Sequence, residues 1–180
     1  MTAPGPRSAS SAQASATAWT AWIIALIKPV YPVYIWYFAG SGFWAASVTA
    51  LTMPLYVRFA LLSRRNSRIA RHGLPLLRLF DTILAAKLFG AASGAELFLF
   101  PCLMLATLTP EIGEIWASRI LVALIASLAL ALHGHYHPAL YVWDAAALER
   151  LREVNIFAVI SLCTFSGRTF AERLRLSPIG

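Results

Sequence analysis

From Leu74 to Pro110 the chain is one long apolar run with Asp81, Lys87 and Glu96 set into it and a small-residue break, Gly90-Ala91-Ala92-Ser93-Gly94, at its middle. As a single helix at 1.5 Å per residue this stretch would reach roughly 55 Å, far beyond a hydrocarbon core of about 30 Å. The chain must therefore bend back on itself there. A turn between Ala91 and Ala92 gives a helical hairpin that sets Lys87 opposite Glu96 and Asp81 opposite Cys102. Ionisable groups in or beside lipid cost several kcal/mol unless partnered or wetted, which makes these three candidates for function.

The rest of the chain is of the same kind. It is 59% hydrophobic and 13% charged over 180 residues, with mean hydropathy +0.67. That is too apolar for a water-soluble domain of this size and is expected of an all-α, polytopic six-helix transmembrane bundle forming one domain. The net charge of +7 would suggest nucleic acid in a soluble protein. Here the basic residues fall where the positive-inside rule puts them, so the expected partner is the lipid bilayer and not nucleic acid. Cys102 and Cys163 lie inside expected spans, far apart in sequence, and are read as free thiols.

Residues 1–17, rich in Ala, Ser, Pro and Thr, are expected to form a disordered cytoplasmic tail. The membrane domain then occupies 18–170, followed by a short basic cytoplasmic tail over 171–180. The first span, about Trp19 to Ala39, contains Lys28, Pro29 and Pro32; proline removes backbone bonds, kinks the helix and leaves carbonyls for another group to satisfy. Its far half carries Tyr31, Tyr34, Trp36 and Tyr37, either an interfacial aromatic belt or one wall of a ligand site. Gly40-Ser41-Gly42 turns the chain into a second span, about Phe43 to Leu62. Arg58, Arg64, Arg65, Arg68, Arg71 and Arg78 surround the next connection, which should be cytoplasmic. After the hairpin, Glu111 and Glu114 precede a fifth span over about Ile115 to Leu132. Asp144 looks like the N-cap of a sixth helix that leaves the membrane through Arg168, Arg173 and Arg175. With six spans and both termini inside, only Arg150 and Arg152 fall on the outer side, whereas a single crossing over 74–110 would move the last three arginines outside. Six spans is the better count.

Lys87 and Glu96 are placed to pair, or to snorkel separately into the headgroups. Asp81 follows Arg78 by three residues and could be satisfied by that i, i+3 pair alone. These three, with Tyr31, Tyr34 and Trp36, are the candidate ligand-binding residues, provided the polar face of the hairpin turns toward the first helix. On a helix His133 and His137 would share a face while His135 points away. Two ligands fall short of the three or four that zinc takes, so no metal is expected. No phosphate loop, dinucleotide fingerprint, nucleophile elbow or paired-cysteine spacing is present in the sequence. Neither an enzyme nor a cofactor is expected.

The residues Leu88 to Phe100 around the hairpin, following the arginine-rich Ser63 to Arg71, resemble the middle of the six-span membrane modules of bacterial class III adenylate cyclases and related sensor histidine kinases. Pro29 to Tyr37 is similar to the kinked first helix of the quorum-sensing receptor kinases in that group. Leu151 to Phe157, continuing to Phe170 to Leu174, resembles the last span running into a signalling helix. The resemblance covers about residues 25–175 and implies a homodimeric receptor in the bacterial inner membrane, for a small lipophilic ligand that biases an output domain. Ala171 to Gly180 contains no such domain, which is then lost or supplied by a partner. The expected function is a non-catalytic membrane sensor or ligand-binding module signalling through its last helix. The alternative is a small accessory or assembly subunit of a larger membrane complex.

Overall fold

A computed structural model describes residues 6–63, 67–110, 112–133 and 139–176, and among these there is no strand. The helices are α1 (Pro6–Ala39), α2 (Phe43–Ala50), α3 (Met53–Leu62), α4 (Ser67–Phe89), α5 (Leu99–Leu108), α6 (Ile115–Leu132) and α7 (Ala145–Leu176). Short 3-10 turns cover Ala91–Ser93, Ala95–Phe98 and Ile112–Glu114. Four stretches are long and apolar enough to cross a membrane: Ala14–Ala39, Phe43–Leu62, Ile115–Leu132 and Ala145–Glu172. Their outer faces are apolar too, with Trp44 81% and Leu130 79% exposed. A water-soluble protein rarely shows large apolar patches, whereas a lipid-facing one must.

The hairpin forms at the expected place. Gly90 and Gly94 both have positive φ, +82° and +72°, a region open to glycine at no steric cost, and they bracket the 3-10 turn that reverses α4 into α5. The expected opposition is off by one residue, since it is Thr82 Oγ1 that lies 3.6 Å from Cys102 Sγ. The carbonyls left free at the end of α4 are taken by the approach to α7: Leu140 N–H donates to Lys87 O (3.0 Å) and Tyr141 N–H to Leu88 O (3.3 Å). Trp143 packs on Phe89 and Tyr141 and lies directly against Gly42, where a Cβ would come within 2.0 Å of its ring. The turns at 40–42, 90–94 and 139–144 therefore meet at one end of the bundle. Arg71, Thr109 and Glu114 meet at the other, where Thr109 Oγ1 donates to Arg71 O (3.1 Å) and Arg71 Nη2 donates to Glu114 (3.1 Å).

Three features differ from expectation. The segment over 1–17, expected to be disordered, is helical from Pro6, with Ala16 and Thr17 buried. Its alanines are the best helix formers, proline suits a first turn, and α1 extends them onto the bundle. The second span is two helices broken at Leu51–Thr52, just ahead of Pro54, whose ring cannot follow an unbroken turn. And both arms of the hairpin fall outside the span-length apolar set, α5 because it is only 10 residues long and α4 because of its charges, although α4 runs between the two ends of the bundle. Arg71, Arg78 and Asp81 lower its hydropathy, but they are turned inward. As expected, Asp144 caps α7, accepting the Ala147 N–H at 2.7 Å. Cys102 and Cys163 are free thiols.

Candidate functional site

The break before Pro54 supplies the first component of the site. It presents Thr49 O, which accepts from Lys28 Nζ at 2.9 Å and lies 2.9 Å from Thr52 Oγ1. Lys28 also pairs with Asp81 of α4, bringing a cation of α1 and a carboxylate of the hairpin together inside the bundle. Thr52 Oγ1 donates to Asp81 Oδ1 (2.8 Å) and Tyr56 OH donates to Asp81 Oδ2 (2.8 Å). Arg78, one helical turn before Asp81, reaches Oδ2 only at 3.6 Å and stacks its guanidinium on the Phe98 ring, 4.9 Å from the centroid. The i, i+3 pair thus exists, but Asp81 is satisfied chiefly by Lys28, Thr52 and Tyr56. All of these groups are buried or nearly so, in surroundings where an unpartnered charge is costly.

A cavity of about 120 Å³ opens against this cluster, walled by Lys28 and Tyr31 of α1, Arg78 and Asp81 of α4, Phe98 of the turn and Leu162 of α7. A larger apolar groove of about 390 Å³ lies beside it between α1 and α7, reaching from Ile23 to Tyr34 and from Phe157 to Phe165. The two share Ile27, Tyr31, Ala158 and Leu162. At the edge of the cavity Tyr31 OH donates to Asn155 Oδ1 of α7 (3.3 Å), and Asn155 Nδ2 donates to Ser93 O in the hairpin turn (3.0 Å). One amide side chain therefore joins the last helix to both the first helix and the hairpin.

Of the residues singled out in the sequence, Tyr31 and Asp81 line the cavity and Tyr34 lines the groove. Trp36 is 56% exposed and faces outward. Lys87 and Glu96 are not brought together: Glu96 Oε2 lies 3.4 Å from His133 Nδ1, at the end of α6, and neither residue lines the cavity. His137 lies outside the described residues, and among those described no group of three or more His, Cys, Asp or Glu is placed to hold a metal. Lys28, Arg78, Thr52, Tyr56 and Asn155 are the members that sequence reasoning missed as site residues. For Lys28 the signal was available, since a lysine beside a proline inside an apolar span needs a partner. Arg78 sat too near the basic loop to stand out.

No family model matches the chain, and neither the curated proteins nor the solved structures contain a match to it. What the fold and the site define by themselves is an all-helical membrane protein with a charged, partly enclosed cavity between its first helix, its central hairpin and its last helix.

Proposed function

We propose that this chain is a non-catalytic sensor module that crosses a bacterial inner membrane six times, with both termini in the cytoplasm, binds a small lipophilic ligand and signals through α7. The observation that carries this reading is the position of α7. It is one wall of both the cavity and the groove, and it runs on without interruption toward the basic carboxyl end. An occupant wedged between α1 and α7 acts directly on that helix. The ligand must bind two arrangements of α7 with different affinity for anything to be transmitted. Crossings by α4 and α5 are supported by their antiparallel packing between the two ends of the bundle. The inward-turned charges explain why hydropathy alone misses α4. A homodimer or a membrane partner receives the signal in this reading, as the resemblance to six-span receptor modules implies.

The test uses the neutral amphiphile decanol as probe. Spin labels at positions 68 and 172, with Cys102 and Cys163 replaced by serine, report the spacing of α4 and α7 in lipid nanodiscs. Binding accompanied by a changed distance distribution supports a sensor. Saturable binding with an unchanged distribution rejects signalling through α7.

The second reading, an accessory subunit, is favoured by α6. That helix packs mainly on α5 and leaves Trp116, Ile120, Leu124 and Leu130 exposed. Purification in mild detergent separates the two: a stoichiometric heterocomplex favours the subunit, a homodimer the sensor.

A further inference from the structure

The charges around the cavity do not balance. Two cations, Lys28 and Arg78, face one carboxylate, Asp81, and the carboxylate is already committed. Its Oδ1 accepts from Thr52, and its Oδ2 accepts from Tyr56 and pairs with Lys28. Arg78 reaches that carboxylate only at 3.6 Å, beyond hydrogen-bonding distance; its other polar neighbour is the Tyr56 hydroxyl, which carries no formal charge, and its buried Nε has no hydrogen-bond partner. A guanidinium offers five N–H donors in a planar fork that suits a carboxylate, and a buried one with donors left unmet is costly. The surplus is a single positive charge, which one monoanionic head neutralises.

The surroundings say what such a head is attached to. The cavity at Arg78 is too small for more than a head group, while the groove that shares its wall is apolar along both sides, with Ile23, Val30, Phe157 and Phe165 beyond the shared residues. Its volume of about 390 Å³ falls in the range of about 300–1,000 Å³ typical of small-molecule sites. We propose that the ligand is a single-chain amphiphile with a carboxylate head, the head seated against Arg78 and the alkyl chain lying between α1 and α7. This rests on the ligand-binding reading above and names the chemical class of its ligand.

Three ten-carbon probes with different heads test it by calorimetric titration of the full chain in phosphatidylcholine nanodiscs: decanoate, decanol and decyltrimethylammonium. Decanoate should bind about tenfold or more tightly than decanol, and the cationic probe should not compete. Arg78→Gln and Lys28→Met each remove the surplus charge and should each abolish the preference for decanoate over decanol. Lys28→Met leaves Asp81 with Arg78 as its counter-charge, so that variant decides if Arg78→Gln fails to fold. Ala158→Trp, which fills the shared wall, should weaken both probes. Equal affinity for decanoate and decanol overturns the anionic head while the ligand-binding cavity stands. Binding of neither probe overturns both. A repeat in phosphatidylglycerol nanodiscs separates the sources of the anion: if that lipid excludes decanoate, the site belongs to a bilayer headgroup and the single-chain proposal falls.

Discussion

Removing Asp81 should be far more damaging than removing Lys28, although the two form one ion pair. In Asp81→Asn, Lys28 and Arg78 remain as two buried cations with no anion in the cavity wall, and Tyr56 and Thr52 lose a charged acceptor. Breaking a buried pair by deleting one partner typically costs about 3–5 kcal/mol, because the other charge is left uncompensated. In Lys28→Met the remaining charges are Asp81 and Arg78, already 3.6 Å apart, and Asp81 keeps both hydroxyl donors. The loss is then the hydrogen bond to Thr49 O and the better of two ion pairs, about 1–2 kcal/mol by the usual worth of such bonds. The double variant should be less destabilised than Asp81→Asn alone, since it removes one of the stranded cations. Reversible unfolding in mixed micelles with increasing dodecyl sulfate measures all three. A Lys28→Met variant as unstable as Asp81→Asn would refute the charge count, and with it the assignment of Arg78 as the surplus cation.

Other expectations follow from single contacts. Asn155→Leu strands Ser93 O and the Tyr31 hydroxyl inside the bundle and should cost about 1–3 kcal/mol in the same assay. Tyr31→Phe leaves only Asn155 Oδ1 without its donor and should cost less. Gly42→Ala should be strongly destabilising, because φ there is +77° and the new methyl would meet Trp143 at 2.0 Å; a shift of the Trp143 emission spectrum checks the cause. Glu172→Gln, by contrast, removes an exposed i, i+4 partner of Arg168 and should change stability by less than about 0.5 kcal/mol. For the topology, a cysteine at Ala91 should be labelled by an impermeant maleimide from the periplasm, and one at Glu172 only after the membrane is opened.

The hairpin, the bounds of α6 and the Asp144 cap were legible because each rests on local chemistry: a length limit, a glycine pair, a carboxylate one residue before a helix. The amino-terminal helix was not, because the polar composition before Trp19 outweighed its alanines and the packing of Ala16 and Thr17 is a tertiary fact. The pairing of Lys87 with Glu96 failed for a geometric reason. A turn of 3-10 helix on each side of Gly94 changes the facing of α5 relative to α4, so that Glu96 meets His133. Lys28 could be recognised as needing a partner but not matched to one, since Asp81 lies 53 positions away and the match depends on the break before Pro54.

That break also bears on how the cavity can respond. A helix interior presents no free carbonyl, so Lys28 could be anchored beside α2 only where the ladder is interrupted, and Thr49 O is the acceptor that results. Lys28, Asp81, Thr52 and Tyr56 then form a closed polar set joining α1, α3 and α4, with both oxygens of Asp81 accepting. On the other side of the cavity α7 is held by apolar contacts and by the two hydrogen bonds of Asn155, to Tyr31 of α1 and to Ser93 of the hairpin turn. An occupant that pushes the walls apart therefore meets a stiff side and a yielding one. The yielding side is α7, and motion there disturbs two hydrogen bonds of a single amide instead of a buried ion pair.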